Sequence, residues 1–596
     1  MPEKPNRQLL PVALTKSLRS VVDSQQVIGK ACTNLNQRIL SATTGAKCAI
    51  EFDNQTDLQQ AGVLITIPSL LSQGLLRYED DFELDNIYYP TSSVFLSLAL
   101  LALLRVKTLS GVESLPPGEM GRMIGLDRIP EVKTLRKRLA QFSEKSEVAV
   151  WSNKLSRDWM KANEELSAVL YIDGHVKLYY GKNNQLPKRY VSRMRLALSG
   201  TTDYWVNDAL GQPFFVINKV INKGLLQTLK NDLLETFNKD IPNQPTKEQL
   251  EEDKNLHRYM IVFDREGYSP DNFYDFWEDR IAVCTYKKNV TDKWDEKEFK
   301  EYTGSLPFGT EQTICLAERG VLLQNKGSKK KIWAREIRKK KKSGHQTSII
   351  TTNYKLPIVL IGLYMFARWG QENFFKYMMQ EFGIDTLVSY LKIKIPSTKT
   401  LVNPLYRDLE SKRKKLTSKL NTIKAKFANL ILQCESIEDK EMEKYLSQKQ
   451  EIQQEIQGFE KEIEKIKEQK KQTPRKVTYD ELPENKKFDN VINERKQFLD
   501  TIKIIAYRAE TAMVGIIKQY MNEFHKDEAR MLLKQIYKSD ADLIVNRENK
   551  TLTVKIHPLS HHKDDRILQQ LCEQLNQTQT IFPNTNLTLV YKLGSS

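Results

Sequence analysis

Cysteine is scarce in this chain and follows no metal-binding or disulfide-forming pattern. The six cysteines are scattered, and no two of them form a pair separated by two residues: Cys32, Cys48, Cys284, Cys315, Cys434 and Cys572. A chain of 596 residues is also large enough to fold without covalent cross-links. We therefore expect reduced thiols in a cytoplasm.

Histidine and long apolar runs are scarce as well. Three of the seven histidines cluster at His557, His561 and His562, without a cysteine or acidic motif at zinc-finger spacing, so we expect a solvated loop there. The longest apolar run, residues 94–104, is far shorter than the roughly 20 residues that a membrane helix needs. With no signal-peptide core at the N-terminus, the sequence predicts an intracellular protein without a membrane partner.

Acidic residues are outnumbered by basic ones, 75 to 92, which gives a net charge of +17 and a predicted pI near 9.2. This balance suits a polyanionic partner, and nucleic acid is favoured over an anionic membrane surface. The length exceeds what one hydrophobic core usually holds, so several domains are expected.

Three acids give the strongest indication of chemistry. Asp173 and Asp264 stand where apolar, strand-like runs end, and Glu372 lies in an aromatic-rich helical pattern. Taken singly, an acid at a strand end is usually a turn residue. If the fold brings the three together, they could hold two Mg²⁺ or Mn²⁺ ions on either side of a scissile phosphate.

The pattern around the first two acids predicts their structural setting. Strand-like stretches separated by glycine turns, at residues 169–180, 190–198 and 213–220, predict a three-stranded meander. A helical stretch at 225–237 then leads to a strand at 257–263 that ends at Asp264. This order matches an RNase H-like core, in which the first acid lies on the first strand and the second acid closes the fourth.

A basic helix precedes this core. An apolar helix at residues 92–105, a Pro-Pro-Gly break and a basic helix at 130–142 form a candidate helix-turn-helix. Lys133, Arg136 and Lys137 on its last element would contact DNA. The alternative is an ordinary amphipathic helix pair.

A second basic segment interrupts the core. Residues 287–345 contain short strand-like pieces and a dense run of lysine and arginine, which indicates a mainly β insertion domain. Charges this close must be solvated or face phosphates, so Arg335 would bind DNA and Trp333 would stack on an exposed base. A solvated basic loop without a ligand is the alternative.

The C-terminal third is mostly helical. Apolar residues alternate at spacings of four and three on both sides of a polar break at 435–440, a pattern typical of coiled coils. An antiparallel hairpin within one chain is favoured, with a dimerising coiled coil as the alternative. A long helical region at 488–538 and a β-hairpin, helix and strand at 542–591 then predict a small α+β domain.

These residues resemble a family, the DDE transposases of bacterial insertion sequences whose RNase H-like core is split by a largely β insertion. Residues 171–175, Tyr-Ile-Asp-Gly-His, resemble its first-acid strand, and residues 262–266, Val-Phe-Asp-Arg-Glu, its second-acid element. Arg368 and Glu372, four apart on one helical face, are similar to the arginine and glutamate of its third motif. Residues 186–193 and 344–349 also resemble segments of this family.

The resemblance implies an activity and a role for each residue. The enzyme would bind terminal inverted repeats as a homodimer on double-stranded DNA, cleave by two-metal hydrolysis and join the 3′-hydroxyl to target DNA. Asp173, Asp264 and Glu372 would bind two Mg²⁺ or Mn²⁺ ions, Arg368 and Lys376 would face DNA phosphates, and Arg265 and Glu266 would shape the second-acid loop. The location would be the bacterial cytoplasm, at the nucleoid.

The third motif departs from the family pattern. The tyrosine and lysine expected seven residues before and after Glu372 are replaced by methionines, while Tyr364 and Lys376 lie nearby. Glu381 and Asp385 are alternative third acids, although neither follows an arginine at −4. His175 shares the sheet face of Asp173 by strand alternation, so it either shapes the site or packs in the core.

Three other functions remain open. They are a catalytically inactive DNA-binding protein derived from a transposase, an RNase H-like nuclease that only nicks, and a protein whose coiled coil is the functional part. The predicted fold class is a multidomain α/β protein with an N-terminal helical region, a split RNase H-like core, a coiled-coil hairpin and a small α+β C-terminal domain. The predicted domains are residues 1–90, 91–160, 165–286, 287–345, 346–400, 405–472 and 485–596.

Overall fold

The structure is a computed structural model of the full chain. It describes residues 47–84, 87–145, 147–180, 186–191, 196–219, 224–307, 309–386, 392–393, 400–432, 442–483, 490–491, 494–521 and 525–594. The predicted turn at 435–440, parts of the predicted core completion at 346–400 and the last two residues of the familial motif at 186–193 lie outside these ranges, as do residues 1–46.

The described chain is a mixed α/β structure with several sheets. The strands are β1 (Gln55–Leu58), β2 (Val169–Leu178), β3 (Lys188–Val191), β4 (Leu196–Asn207), β5 (Pro213–Lys219), β6 (Tyr259–Phe263), β7 (Ile281–Tyr286), β8 (Lys300–Gly304), β9 (Gln312–Leu323), β10 (Ile332–Lys340), β11 (Gln346–Thr351), β12 (Lys392–Ile393), β13 (Thr400–Val402), β14 (Lys476–Thr478), β15 (Asn490–Val491), β16 (Ala541–Asn546), β17 (Thr551–Ile556) and β18 (Thr588–Leu593).

The α-helices include both short turns and long rods. They are α1 (Ile67–Ser72), α2 (Thr91–Leu103), α3 (Pro117–Arg122), α4 (Val132–Lys145), α5 (Val148–Ala162), α6 (Glu164–Ser167), α7 (Leu225–Thr228), α8 (Leu234–Asp240), α9 (Lys247–Glu252), α10 (Pro270–Glu278), α11 (Ile358–Tyr377), α12 (Pro404–Leu432), α13 (Met442–Gln472), α14 (Glu494–Ile517), α15 (Lys526–Lys538) and α16 (His562–Asn576). Among the described residues, no helix combines the length and the apolar character needed to cross a bilayer.

Strands β2 to β11 form one ten-stranded sheet. Five of its strands follow the order β5-β4-β2-β6-β7, with antiparallel pairing of β5, β4 and β2 and parallel pairing of β2, β6 and β7. All five residues of β6 are buried, as expected for a parallel strand covered on both faces. Strand β4 thus runs antiparallel to β2. Asp173 and Asp264 come directly after the residues of β2 and β6 that pair in parallel.

The segment predicted as a mainly β insertion domain extends this same sheet. Strands β8 to β11 continue the order as β7-β11-β10-β9-β8, and β11 pairs with β7 of the central five. The predicted insertion at 287–345 does contain β-strands, and they continue the central sheet. The reason is that β7 has a free edge, and the insertion extends the sheet along that edge by backbone hydrogen bonds.

The second strand of the predicted meander was also misplaced. The strand that pairs with β2 is β4, which runs through Gly200, where a turn was predicted. A Cβ atom on Gly200 would lie 2.1 Å from the carbonyl oxygen of Lys177. Gly200 thus permits a close approach of two strands and does not mark a turn.

The N-terminal and C-terminal regions share one small sheet. Strand β1 pairs with β16, and the order β1-β16-β17-β18 has a parallel step between β17 and β18. The C-terminal α+β region is therefore completed by residues close to the N-terminus and is not an independent tail. Pairing between distant parts of the chain leaves no local signal in the sequence.

Helix α14 is a central helix, although the sequence predicted one long helical region at 488–538. That region forms two helices, α14 and α15, and α14 packs against α1, α2, α4, α5 and β5. Seventeen of the 24 residues of α14 are buried, including Asp500 and Glu510. The C-terminal part of the chain is therefore required for the main hydrophobic core.

The chain divides into two compact units. The larger contains residues 1–179, 189–389 and 492–596, and the smaller contains residues 180–188 and 390–491. In the smaller unit, α12 and α13 form an antiparallel hairpin, whose base is closed by hydrogen bonds from Asn403 to Pro474 and Arg475. Leu420, Ile463 and Ile466 of the predicted heptads are buried.

Candidate active site

Strand register brings the first two acids side by side. Residues Val169 to Ile172 of β2 pair in parallel with Met260 to Phe263 of β6, so Ile172 lies opposite Phe263. The next residues on the two strands are Asp173 and Asp264. Neighbouring strands lie about 4.8 Å apart, so the two acids occupy adjacent positions at the same end of β2 and β6.

Asp173 lies in a partly enclosed, electrostatically mixed environment. One of its carboxylate oxygens accepts a hydrogen bond from the Gly174 amide at 2.9 Å, and the other lies 3.5 Å from the guanidinium of Arg368. Burial raises the pKa of Asp173 to about 6 because the opposing effects of Arg368 and Gly174 are smaller, and the charges of Asp264 and Glu266 add to the rise. The site therefore favours a cation near this carboxylate.

Asp264 begins a short 3₁₀ turn that exposes its neighbours. The Asp264 carbonyl accepts a hydrogen bond from Gly267, and Arg265 and Glu266 are exposed on the turn. The Arg265 guanidinium lies 5.8 Å from the centre of the Tyr286 ring. Desolvation raises the pKa of Glu266, and the charge of Asp264 adds to this effect.

Helix α11 carries the third acid across the sheet. The buried amide of Gln371 donates to Asn207 Oδ1 at 2.9 Å and to the Trp205 carbonyl at 3.2 Å. The hydroxyl of Tyr171, two residues before Asp173, donates to the Tyr364 carbonyl of the helix at 2.7 Å. These bonds fix the helix against β2 and β4, and Glu372 immediately follows Gln371.

Arg368 connects the first and third acids. Its guanidinium lies 2.5 Å from Glu372 Oε1 and 3.5 Å from Asp173 Oδ2, and 9% of the residue is exposed. Burial alone would lower the pKa of Arg368, but the carboxylates of Asp173, Asp264 and Glu372 together raise it. All three predicted acids therefore act on a single guanidinium.

His175 is a packed residue in this structure. Its ring is 7% exposed and stacks on Phe375 of α11, with 5.3 Å between ring centres and an angle of 19°. The contact joins the strand of Asp173 to the helix of Glu372. His175 therefore holds the two elements of the site together.

The remaining residues of the third motif fall on both faces of α11. Lys376 is exposed one turn after Glu372, whereas Tyr364 is 7% exposed and faces the interior. Glu381 is engaged elsewhere, 3.1 Å from Arg105 and 2.9 Å from Lys534, and Asp385 lies exposed beyond the helix. Of the candidate third acids, Glu372 alone shares an arginine with Asp173.

The donor set fits divalent cations that prefer oxygen. Asp173, Asp264 and Glu372 offer carboxylate oxygens, and the arginine between them shows that positive charge is favoured there. Their ligand atoms do not all lie within 4.8 Å of one another. A two-metal site could be held by these three carboxylates together without all of them contacting the same ion.

Within the described ranges, one group of acids and histidine does have ligand atoms that all lie within 4.8 Å of one another: Asp57, Asp542 and His557. His557 Nε2 lies 3.1 Å from Asp542, and Lys555 lies 3.8 Å from the other oxygen of that carboxylate. His557 lies partly exposed in the loop after β17 and pairs there with Asp542 of the neighbouring strand. His562 is 99% exposed.

The residues predicted to contact DNA away from the three acids differ in how exposed they are and in whether they already pair within the protein. Lys133 and Lys137 are exposed on α4, and Arg136, also exposed, donates to Ser110 at 2.7 Å. Trp333 is 63% exposed on β10. Arg335 is engaged within the protein, since it pairs with Glu318 and donates to the carbonyls of Asn353 and Leu356.

Part of the basic run that was assigned to solvent or phosphates is structural. Arg338 is fully buried between Glu336 and Asp292, and its guanidinium lies 4.3 Å from the centre of the Trp294 ring. Lys287 also pairs with Glu336 at 2.5 Å. Sequence spacing did not reveal this cluster because Asp292 and Lys287 come from a distant part of the chain, although Glu336 lies two residues before Arg338 on β10.

Comparison with known proteins gives one match. The model of a family described as "Transposase protein" matches residues 29–595. No curated protein matches the chain.

Proposed function

Since the chain belongs to the Transposase protein family, we propose that it is a metal-dependent DNA transposase of the DDE type. The family itself indicates an enzyme that cleaves and joins DNA strands. The observation that carries the finer proposal is that Arg368 pairs with both Asp173 and Glu372, while strand register places Asp264 beside Asp173. An origin in a bacterial insertion sequence is part of the proposal.

The order of the central strands supports an RNase H-like core. In β5-β4-β2-β6-β7, three antiparallel strands are followed by two parallel ones, and the acids stand at β2, after β6 and on the helix beyond the insertion. This is the arrangement that the resemblance in the sequence implied. The fold alone does not specify chemistry, so the proposal depends on the acids.

Each site residue has a proposed task. Asp173, Asp264 and Glu372 would together hold two Mg²⁺ or Mn²⁺ ions. When bound, the ions would supply activation of the attacking oxygen and stabilisation of the leaving oxygen. Arg368 and Lys376 would face phosphates near the acids, and Gln371 and His175 would hold α11 and β2 in register.

The partners follow from the reaction. DNA is the partner that a transposase implies, and we propose that it comprises terminal repeats and target DNA. Two ends need two active sites, so a homodimer on DNA is proposed. A bacterial cytoplasmic location at the nucleoid and DNA contacts by Lys133, Lys137, Arg265 and Trp333 are further parts of this proposal.

The deciding experiment is strand transfer in vitro with Mn²⁺ and paired end sequences. The native protein should give target DNA covalently joined to the end, while Asp173→Ala and Glu372→Gln should each lose product by at least about a thousandfold, as expected when a metal ligand is removed. Glu381→Gln is the matched control and should keep activity if it remains folded by circular dichroism. Activity that survives Asp173→Ala contradicts the proposal.

The same assay distinguishes the other functions. Nicked DNA without joined product would indicate a nuclease, and binding without any cleavage would indicate an inactive DNA-binding protein.

A further inference from the structure

The two helices of the hairpin have very different charges. Helix α12 contains eight basic residues and two acids, Asp408 and Glu410, whereas α13 contains seven lysines and seven glutamates. Exposed helices usually intersperse both signs, because like charges on one face repel one another. The excess on α12 therefore needs an explanation.

One flank of the helix–helix seam is closed by ion pairs. Glu410 lies 2.5 Å from Lys470, and Lys424 lies 2.7 Å from Glu460. Glu410 and Lys424 each follow a seam residue by one position, a site where hairpins of this kind place interhelical pairs. The seam is thus already stabilised by charges on this side.

The opposite flank contains only lysine at the equivalent positions. Lys412, Lys419 and Lys426 recur every seven residues. Lys419 and Lys426 each lie one position before an apolar residue of the heptad pattern, Leu420 and Phe427, and Lys415 lies beside them on the helix surface. We call these four residues the lysine flank. All four are exposed, and no acid of the described part of the chain lies within 4.0 Å of them.

We infer that the lysine flank is a docking surface for the phosphate backbone of double-stranded DNA. Lys412 and Lys426 are 14 residues apart, so the flank extends over about 21 Å, at about 1.5 Å per residue. That length corresponds to about six base pairs. A straight row of flexible ammonium groups suits a regular polyanion and provides no groups that would read base edges.

The inference rests on the proposed function for its choice of DNA over other polyanions. The net charge of +17 supports the same choice, because such a protein attracts nucleic acid before any specific contact forms. The contacts would add affinity without sequence preference. They would be independent of the acids that perform cleavage.

The test compares two variants of the full-length protein with the same loss of charge. In the first, Lys412, Lys415, Lys419 and Lys426 become glutamine. In the control, the same change is made at four lysines of α13: Lys449, Lys461, Lys465 and Lys471. Glutamine keeps helix propensity in both. Binding of a duplex of about 40 base pairs is measured between 50 and 200 mM salt.

We expect the slope of log K against log salt to decrease by about 3 to 4 in the first variant, since each phosphate contact contributes about 0.9. Between 50 and 200 mM salt, the native protein should therefore lose about a hundredfold more affinity for the duplex than the first variant loses. The slope of the control variant should differ from the native slope by no more than about 0.9, the contribution of one phosphate contact. An unchanged slope in the first variant, or an equal change in the control, overturns the inference.

Two further measurements separate other causes. If the lysines instead stabilise the hairpin through the glutamates of α13, the first variant will lower the melting temperature without changing the salt slope, which also overturns the inference. The Asp173→Ala protein should keep the native slope. A lysine-dependent slope with no strand transfer would refute the proposed function and leave the docking surface intact.

Discussion

At the scale of single residues, Arg368 is the centre of the site. A guanidinium that is 9% exposed carries a large desolvation cost unless acids compensate it, and here Asp173 and Glu372 do so. In the free protein the arginine therefore balances the negative charges of the site. Divalent ions would compete with it for the same carboxylates.

The protonation of Asp173 predicts how metal affinity depends on pH. Because its pKa is raised to about 6, Mn²⁺ must displace a proton from Asp173 in acidic solution. We expect Mn²⁺ affinity to be nearly constant above about pH 7 and to fall by up to about tenfold per pH unit below the pKa. Calorimetric titration over pH 5 to 8 would measure this, and Asp173→Asn should remove most of the binding.

The same shift has a consequence for stability. The folded-state pKa of Asp173 lies above the unfolded value of about 3.9, so the metal-free protein retains the proton more strongly when folded. Its contribution to stability is therefore greatest in acid and is lost as pH rises from about 4 to 6. If Asp173 instead raised the melting temperature as the pH increased from about 4 to 6, the raised pKa of Asp173 would be contradicted.

Gln371 is a residue whose importance the sequence did not indicate. Replacing it with leucine would remove the donor to Asn207 Oδ1 and leave that amide oxygen unpaired in the interior, at about 1–3 kcal/mol. We expect Gln371→Leu to lower the melting temperature by several degrees and to reduce strand transfer by misplacing Glu372. Asn373→Leu, on the exposed face two residues later, is the control and should leave the melting temperature nearly unchanged.

At the scale of elements, helix α11 depends on a close backbone contact with the turn between β4 and β5. Gly211 has φ +78°, and a Cβ atom there would lie 2.7 Å from the Gly370 carbonyl oxygen. Gly370 lies two residues before Glu372. Any displacement of the turn would therefore be transmitted to the third acid.

Substitution of two glycines separates this contact from backbone strain. Gly327 has φ +83° but no atom within 4 Å of its added Cβ, so Gly327→Ala should cost only about 1 kcal/mol. Gly211→Ala carries the same strain and the clash with Gly370. We expect a loss of strand transfer in Gly211→Ala alone, measured at equal protein and DNA concentrations. Equal activity of the two variants would show that α11 tolerates the displacement.

At the scale of the whole molecule, the hairpin and the C-terminal region differ in their importance for folding. The backbones of Asn403 and Arg475 are joined by a hydrogen bond of 3.0 Å, so residues 404–474 can be replaced by a short Gly-Ser linker. Helix α14, by contrast, buries most of its residues in the larger unit.

Two deletions follow from this difference. Excision of residues 404–474 should keep a cooperative melting transition near that of the native chain, whereas removal of residues 494–596 should give unfolded or aggregated protein. Circular dichroism and size-exclusion chromatography would measure both. A truncation at Pro404 is therefore unsuitable as a test of the hairpin, because it also removes α14. If the excised protein unfolds, the hairpin is part of the core after all.

Sequence patterns were most reliable where a local rule applied. The buried strand before Asp264, the helix of Glu372 and the two helices of the hairpin all have periodic apolar residues, and each is present in the structure. Asp173, Asp264 and Glu372 were also predicted as site residues from the sequence, through motifs of fixed spacing. Their roles as metal ligands remain predictions.

The sequence by itself determined the charge, the element types and the three acids, because each depends on residues close together in the chain. Only the tertiary structure decided that the insertion extends the central sheet, that β1 completes the C-terminal sheet and that Arg338 is buried beside Asp292. It alone also brought Arg368 to Asp173. Strand pairing and ion pairing join residues that are distant in the chain, and composition and periodicity carry no record of such partners.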